Sequence, residues 1–167
     1  MRPAVLTTLF AGLVIGGPAA AQTPNKPTTH RSTASETFVA VLSGAYAVPE
    51  VETRVTGTAE LRLVGPRVHY QLHVDSLRDV TGAYIHIGHA GDTTPAVADL
   101  FEGVKPGPVS GVLARGTLEQ TALHGTTLHQ LVQALQQDDA YVTVHTRAHP
   151  AGEIRGQLRI QPVVANR

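Results

Sequence analysis

The sequence predicts an all-β fold: an antiparallel, Greek-key-like β-sandwich or flattened barrel of about eight strands with one short helix. Three observations carry that expectation. From Phe38 onward apolar residues recur at alternate positions, the period of a half-buried strand. Gly44, Pro49, Gly57 and Gly65-Pro66 punctuate the early runs, as turns do. A helical period replaces the alternation in one stretch only, near Leu128. Without a regular βαβ alternation, a doubly wound parallel sheet is disfavoured.

The elements follow in order. Phe38–Leu42 is apolar and β-branched. Thr58–Val64 sets Ala59, Leu61 and Leu63 against Thr58, Glu60 and Arg62. After the Gly65-Pro66 turn, Val68, Tyr70, Leu72 and Val74 oppose His69, Gln71, His73 and Asp75. Gly82–Ile87 places Ile85 and Ile87 opposite Tyr84 and His86, and a Gly- and Asp-containing loop starts at Gly88. Ala96–Leu100 and Val109–Leu118 read as two further strands, separated by a loop over Gly103–Pro108. Thr126 or Thr127 can cap a helix whose stripe is Leu128, Leu131, Val132 and Leu135, ending before Asp138-Asp139. Tyr141–His145 sets Val142 and Val144 against Tyr141, Thr143 and His145. Glu153–Ile160 sets Ile154, Leu158 and Ile160 against Glu153, Arg155, Gln157 and Arg159.

The N-terminus has the three parts of an export signal: Arg2, an apolar run over Val5–Ile15, and Ala19-Ala20-Ala21 after Gly16, Gly17 and Pro18. The run is too short for a retained bilayer-spanning helix. The expected organisation is a signal peptide over 1–21, a flexible leader over 22–36, one β domain over 37–162 and a tail over 163–167. The mature chain is then secreted, periplasmic or extracellular, with no membrane span after cleavage.

Composition narrows the function classes. Basic and acidic residues balance at 13 each, so the basic face that nucleic acid requires is not expected. Cysteine is absent, which removes thiol catalysis and thiolate metal sites and leaves core packing and hydrogen bonds to hold the domain. Only 4% of residues are aromatic and there is no Trp, so Val, Leu, Ile and Ala must fill the core. There is no Gly-x-Ser-x-Gly elbow or P-loop, and neither Ser43 nor Ser110 has a nucleophile context. The expectation is a protein without catalytic activity and without a required cofactor.

Three stretches together resemble the chordin-type (CHRD) domain family. They are Leu42-Ser43-Gly44 with Val48-Pro49-Glu50-Val51 and Gly57-Thr58-Ala59; Ala83–Gly88 with Ala90-Gly91; and Tyr141–Thr146 continuing through His149–Leu158. The third is the most specific, being a long string at fixed spacing. Tyr84, Tyr141, Glu153, Arg155 and Gln157 stand inside these motifs. The resemblance implies an extracellular β-rich domain of the kind repeated in chordin and found in secreted bacterial proteins. A growth-factor ligand is not carried over, because a chain without Cys has no Cys-rich module of the kind accompanying the domain in chordin. Tyr84 stands where the family often has His, and Thr143 where it often has Asn; His89 offers an imidazole in the loop instead.

Nine histidines are the one compositional oddity. Strand alternation puts His69, His73, His86 and His145 on polar strand faces, where neutral ring nitrogens could ligate Zn²⁺ or Cu²⁺. Pairing across a Pro150–Gly152 turn would bring His145 near Glu153, whose carboxylate could orient the ring. The alternative is that His86 and His145 hydrogen-bond to backbone or Glu153 and pin neighbouring strands, with His69 and His73 on a solvated face. Glu153 and Arg155 would share one face, which suits either an acid/base or anion-binding role or a cross-strand ion pair or hydrogen-bond network that fixes the hairpin. Three functions stay open: a module binding an unidentified protein, envelope or matrix component through loops such as Gly88–Pro95 and Gly103–Pro108; a metal-binding domain, redox or hydrolytic, using His86, His145 and one of His69 or His73; or a structural surface protein.

Overall fold

The computed structural model describes residues 35–162. The expected signal peptide, most of the expected leader and the expected tail lie outside them. Strands β1 (Glu36–Ser43), β2 (Thr56–Val64), β3 (Arg67–Ile87) and β4 (Ala96–Leu118) come first, then helix α1 (Leu128–Gln136), then β5 (Ala140–Thr146), β6 (Ile154–Gln157) and β7 (Arg159–Gln161). They form one seven-stranded sheet in the order β2-β1-β6-β5-β3-β4, with β7 on β1 and a further pairing of β2 with β3.

That last pairing closes the sheet on itself. The first part of β3 pairs with β2, from Arg67 opposite Val64 to Asp75 opposite Thr56. The later part pairs with β5, from Val80 opposite Thr146 to Ile87 opposite Ala140. On its other edge β3 pairs with β4 over almost its full length. The ring β1–β2–β3–β5–β6 returns to β1 at Ser43 opposite Arg155. The fold is therefore all-β, antiparallel and closed.

The sequence reading divided β3 and β4 into two strands each, and here it is corrected. Ser76 (φ 59) and Asp79 (φ 51) in β3, and Gly103 (φ 104) and Gly107 (φ 79) in β4, have left-handed backbone. Six register shifts between β3 and β4 run from Leu72/His73 to Ile85/His86. Gly, Pro and Asp here make bulges within a continuing ladder, so they bend strands rather than end them. The bend is required: 21 straight residues would run about 70 Å, far more than a domain of this size is wide. The expected loop over Gly103–Pro108 is therefore part of β4. At the C-terminal end, Leu158 breaks the run into β6 and β7. β7 moves to the edge of β1, and Ile160, expected inside, is 47% exposed.

The alternation otherwise holds. Ala59, Leu61, Val68, Leu72, Val74, Ile85, Val142, Val144 and Ile154 are fully buried in one core. Thr127 caps α1 by accepting from the Gln130 N–H, and the Gln130 side chain returns to the Thr127 N–H, completing a capping box. Leu131, Ala134 and Leu135 of the helix are buried, with Leu128 and Val132 packed beside the same core. Among the described residues, no helix is long and apolar enough to cross a membrane.

β6 lies so close to β1 that a Cβ on Gly156 would fall on the Val41 carbonyl and crowd Leu42 Cδ2. Gly156→Ala is expected to destabilise the domain by about 1–3 kcal/mol, as overpacking does. A urea midpoint unmoved from the unsubstituted protein, at equal m-value, would refute that close approach.

Candidate functional site

The later part of β3 lies beside β5, and β5 beside β6. Because the pleat alternates, Ala83, Ile85, Val142, Val144 and Ile154 enter the core. Tyr84, His86, Tyr141, Thr143, His145 and Arg155 are left on the outer side. That side is polar but not wet: Tyr141, Thr143, His86 and Arg155 are all buried. The segment after β3, Gly88–Pro95, lies over it.

The cover is held mainly through its backbone. Arg155 donates from Nη1 to the Asp92 carbonyl at 2.6 Å and from Nη2 to the His89 carbonyl at 3.0 Å. Gln157 Nε2 donates to the Gly88 carbonyl at 2.9 Å and the Asp138 carbonyl at 2.8 Å. The Thr94 N–H donates to the Tyr141 hydroxyl at 3.0 Å. His86 Nδ1 lies 2.8 Å from the Thr94 carbonyl; a carbonyl only accepts, so Nδ1 carries the hydrogen.

Beneath the cover three flat groups stack. The His86 and Tyr141 rings are parallel within 3°, with centroids 4.7 Å apart. The Arg155 guanidinium carbon sits 3.6 Å from the Tyr141 ring centroid. Tyr141 is flanked by β3 and β6, so imidazole and guanidinium approach it from its two neighbouring strands. A cation over a desolvated ring is worth roughly 2 kcal/mol, which offsets part of the cost of burying the Arg155 side chain to 4% exposure. Beside the stack, Thr143 Oγ1 lies 3.0 Å from His86 Nε2 and 2.9 Å from His145 Nε2. His145 Nδ1 donates to the Pro150 carbonyl at 2.8 Å, and its ring meets Tyr84 edge-on at 5.0 Å.

The structure thus brings together two of the four candidate imidazoles, His86 and His145. His69 and His73 lie on the first part of β3, exposed, opposite Arg62 and Thr58 of β2; His69 Nδ1 contacts Thr117 Oγ1 at 2.9 Å. Among the described residues, no three His, Asp or Glu side chains converge as metal ligands. The His145–Glu153 contact is corrected too. Glu153 precedes β6 and turns aside: its carboxylate accepts from Thr146 Oγ1 at 2.7 Å and Thr53 Oγ1 at 3.0 Å. It therefore ties the β5–β6 turn to the segment before β2. Glu153 and Arg155 do not act on one face, and Arg155 has carbonyls as partners.

Sequence reasoning missed Thr143 as the link between the rings, and Thr94, Asp92 and His89 as acceptors for the buried donors. The acceptors are backbone carbonyls, which leave no residue-type signal. Thr143 carried a faint one, as a polar residue in phase with His145.

Two hollows adjoin this layer. A groove of about 540 Å³ runs over the outer face of β1 between the Gly44–Tyr46 3₁₀ turn and Ala90-Gly91, with Val41, Tyr46, Val48, Arg155 and Arg159 in its walls. A smaller cavity of about 200 Å³ is bounded by His86, Thr143, His145, Tyr141 and Arg155. Arg155, Ala47 and Val48 border both.

The strand side chains that hold the loop over the polar outer layer of this closed antiparallel sheet, His86, Tyr141, Arg155 and Gln157, all stand in the sequence motifs. The chain belongs to the CHRD domain family, whose model matches residues 38–158. It is 28% identical over 128 residues to chordin of Xenopus laevis, an alignment covering 71% of this chain and 12% of that protein. The chain thus spans about an eighth of the relative's length. No solved structure matches it.

Burial pushes both rings below the ordinary histidine range. For His86 desolvation leads and the nearby positive charges of His145 and Arg155 add to it, against the Thr94 hydrogen bond. For His145 desolvation leads against the Pro150 hydrogen bond. A lowered folded-state value means that the unfolded chain binds more protons, so stability rises with pH. The contribution of these rings is complete above about pH 6.5, the unfolded value, and is lost as pH falls below it. The urea midpoint should therefore drop on acidification from neutrality, and the His145→Gln variant should show a shallower drop. Equal slopes in variant and parent would refute the assignment.

Proposed function

We propose that this chain is a non-catalytic binding module acting outside the cytoplasm, in the periplasm or the extracellular space, that takes a protein, envelope or matrix component in the groove over β1. The groove carries this reading. Val41, Tyr46 and Val48 are 64%, 59% and 38% exposed, and they stand together along one hollow beside two guanidinium groups. Scattered exposed apolar residues need no explanation, but a concave cluster rimmed by polar groups marks interaction sites. An exposed Tyr next to Arg is also the composition from which interface hot spots are drawn.

The scaffold suits recognition. The groove floor is a strand paired on both edges, and one wall is the loop anchored by Arg155 and Gln157. Rigid walls reduce the ordering cost of binding. The export signal read from the sequence and membership of the CHRD family support a site of action outside the cytoplasm. The paired imidazoles both turn Nε2 to the Thr143 hydroxyl, and among the described residues no third His, Asp or Glu joins them, which supports a structural or proton-holding role over ligation.

Tyr46→Ala and Val41→Ser should leave folding stability within about 0.5 kcal/mol, as exposed substitutions do. Each should weaken capture of the partner, with Tyr46→Ala costing about 2 kcal/mol, or roughly thirtyfold in Kd. The check is affinity capture from the cell envelope and culture medium, followed by direct titration of the identified species. A partner that binds both variants as tightly as the parent would place recognition elsewhere.

A further inference from the structure

The line through His86, Thr143 and His145 is short of a hydrogen. Its four contacts are Thr94 O to His86 Nδ1 at 2.8 Å, His86 Nε2 to Thr143 Oγ1 at 3.0 Å, Thr143 Oγ1 to His145 Nε2 at 2.9 Å, and His145 Nδ1 to Pro150 O at 2.8 Å. The end groups are carbonyls, so both Nδ1 atoms must be the protonated ones. Neutral rings then present bare Nε2 atoms, both facing one hydroxyl with one hydrogen. Four contacts share three hydrogens. One added proton completes the set: one imidazolium donates through Nε2 to the Thr143 oxygen, and the Thr143 hydroxyl donates to the other ring.

What opposes that proton is burial first and, at His86, neighbouring positive charge. The Arg155 guanidinium is 4% exposed and its protein acceptors are two carbonyls. Among the described residues no carboxylate lies within ion-pair distance of Arg155, His86 or His145. The acids nearby are engaged: Glu153 by Thr146 and Thr53, Asp92 by the His89 N–H at 2.8 Å, and Asp139 by the His89 ring at 3.1 Å. Tyr84 and Tyr141 are the other titratable side chains against the rings. A buried cation without a counter-charge is costly, and here it borders a cavity of about 200 Å³. At about 30 Å³ per water, that is room for a small anionic group.

We propose that this cavity binds a single carboxylate group against Arg155, and that binding is accompanied by uptake of one proton into the His86–Thr143–His145 line. The carboxylate supplies the charge that Arg155 lacks, and Arg155 retains donors of its fork for it after the two loop bonds. The same negative charge offsets the burial cost of an imidazolium and the repulsion at His86, so the missing hydrogen can enter. The site stands independently of what fills the groove. The carboxylate can come from a free organic acid or from an acidic side chain of a partner lying in the groove, since Arg155 borders both hollows.

The test is calorimetric titration of the purified protein with acetate, against chloride at equal ionic strength, in two buffers of different ionisation heat. Saturable acetate binding with about one proton taken up is expected, and the affinity should fall about tenfold per pH unit on the alkaline side, the slope of one linked proton. Arg155→Gln should abolish binding. Because that change also removes two bonds to the covering loop, Thr143→Val is the second variant: it keeps Arg155 but breaks the proton line, so proton uptake should fall well below one and acetate should bind at least about tenfold more weakly, one pKa unit of lost coupling. Imidazole nitrogen resonances of His86 and His145 should move with acetate in the parent and not with chloride. A blocked peptide carrying Asp between leucines separates the sources. If it binds more tightly than acetate and loses that advantage in Tyr46→Ala, the carboxylate belongs to a groove partner; equal binding assigns a free acid. Absence of saturable acetate binding, binding without proton uptake, or binding unchanged in Thr143→Val would overturn the proposal.

Discussion

The structure depends on one strand keeping two different partners along its length. The first part of β3 is laddered to β2 and the later part to β5, while β4 follows it around the bend. A sheet that is to close must turn somewhere, and straight paired strands cannot do so. Bulges at Ser76 and Asp79, opposite glycine-containing irregularities in β4, make the turn without giving up pairing. Once β3 has bent, the inside of the ring is set for every neighbour, since each pleat alternates from there. The burial of Val142 and Val144, and the outward direction of Thr143 and His145, both follow from it.

Closure also creates the polar layer. A barrel needs only one filled interior, yet this one carries a second buried stratum on its outside, between β3, β5, β6 and the Gly88–Pro95 segment. An irregular loop can lie over a sheet only if its carbonyls are satisfied. Arg155, Gln157 and His86 do this from the strands. Two of these three side chains, Arg155 and His86, are charged or titratable, and their burial is what makes the region chemically distinctive. The cover and the hollows therefore share a residue: Arg155 holds the cover, stacks on Tyr141 and borders both hollows.

Much of the fold was legible because its signals are local. Alternation along Thr58–Val64 and Tyr141–His145 named the inward residues, and Thr126 and Thr127 marked where the helix starts, Thr127 being the one that caps it. The segmentation of β3 and β4 was not legible, because a bulge and a turn use the same residues, and only the continuing ladder distinguishes them. At the site, His86, His145, Tyr141 and Arg155 were singled out from their phase and motif. The partners were not: the β5–β6 ladder ends at Val144 opposite Ile154, and the Glu153 carboxylate beyond it turns to Thr53, a hundred positions earlier. His69 and His73 share the phase of His86 but lie along a different part of the same strand.

By itself the sequence determined the all-β class, the two faces of most strands, the position of the helix and kinship with the CHRD family. These depend on contacts between near neighbours or on the pleat's fixed period of two. Only the tertiary structure decided that the polar face of β5 is covered, that Arg155 finds carbonyls rather than an acid, and that two histidines meet across one hydroxyl. Those outcomes depend on backbone groups brought from distant positions, and a carbonyl oxygen is the same whichever residue carries it.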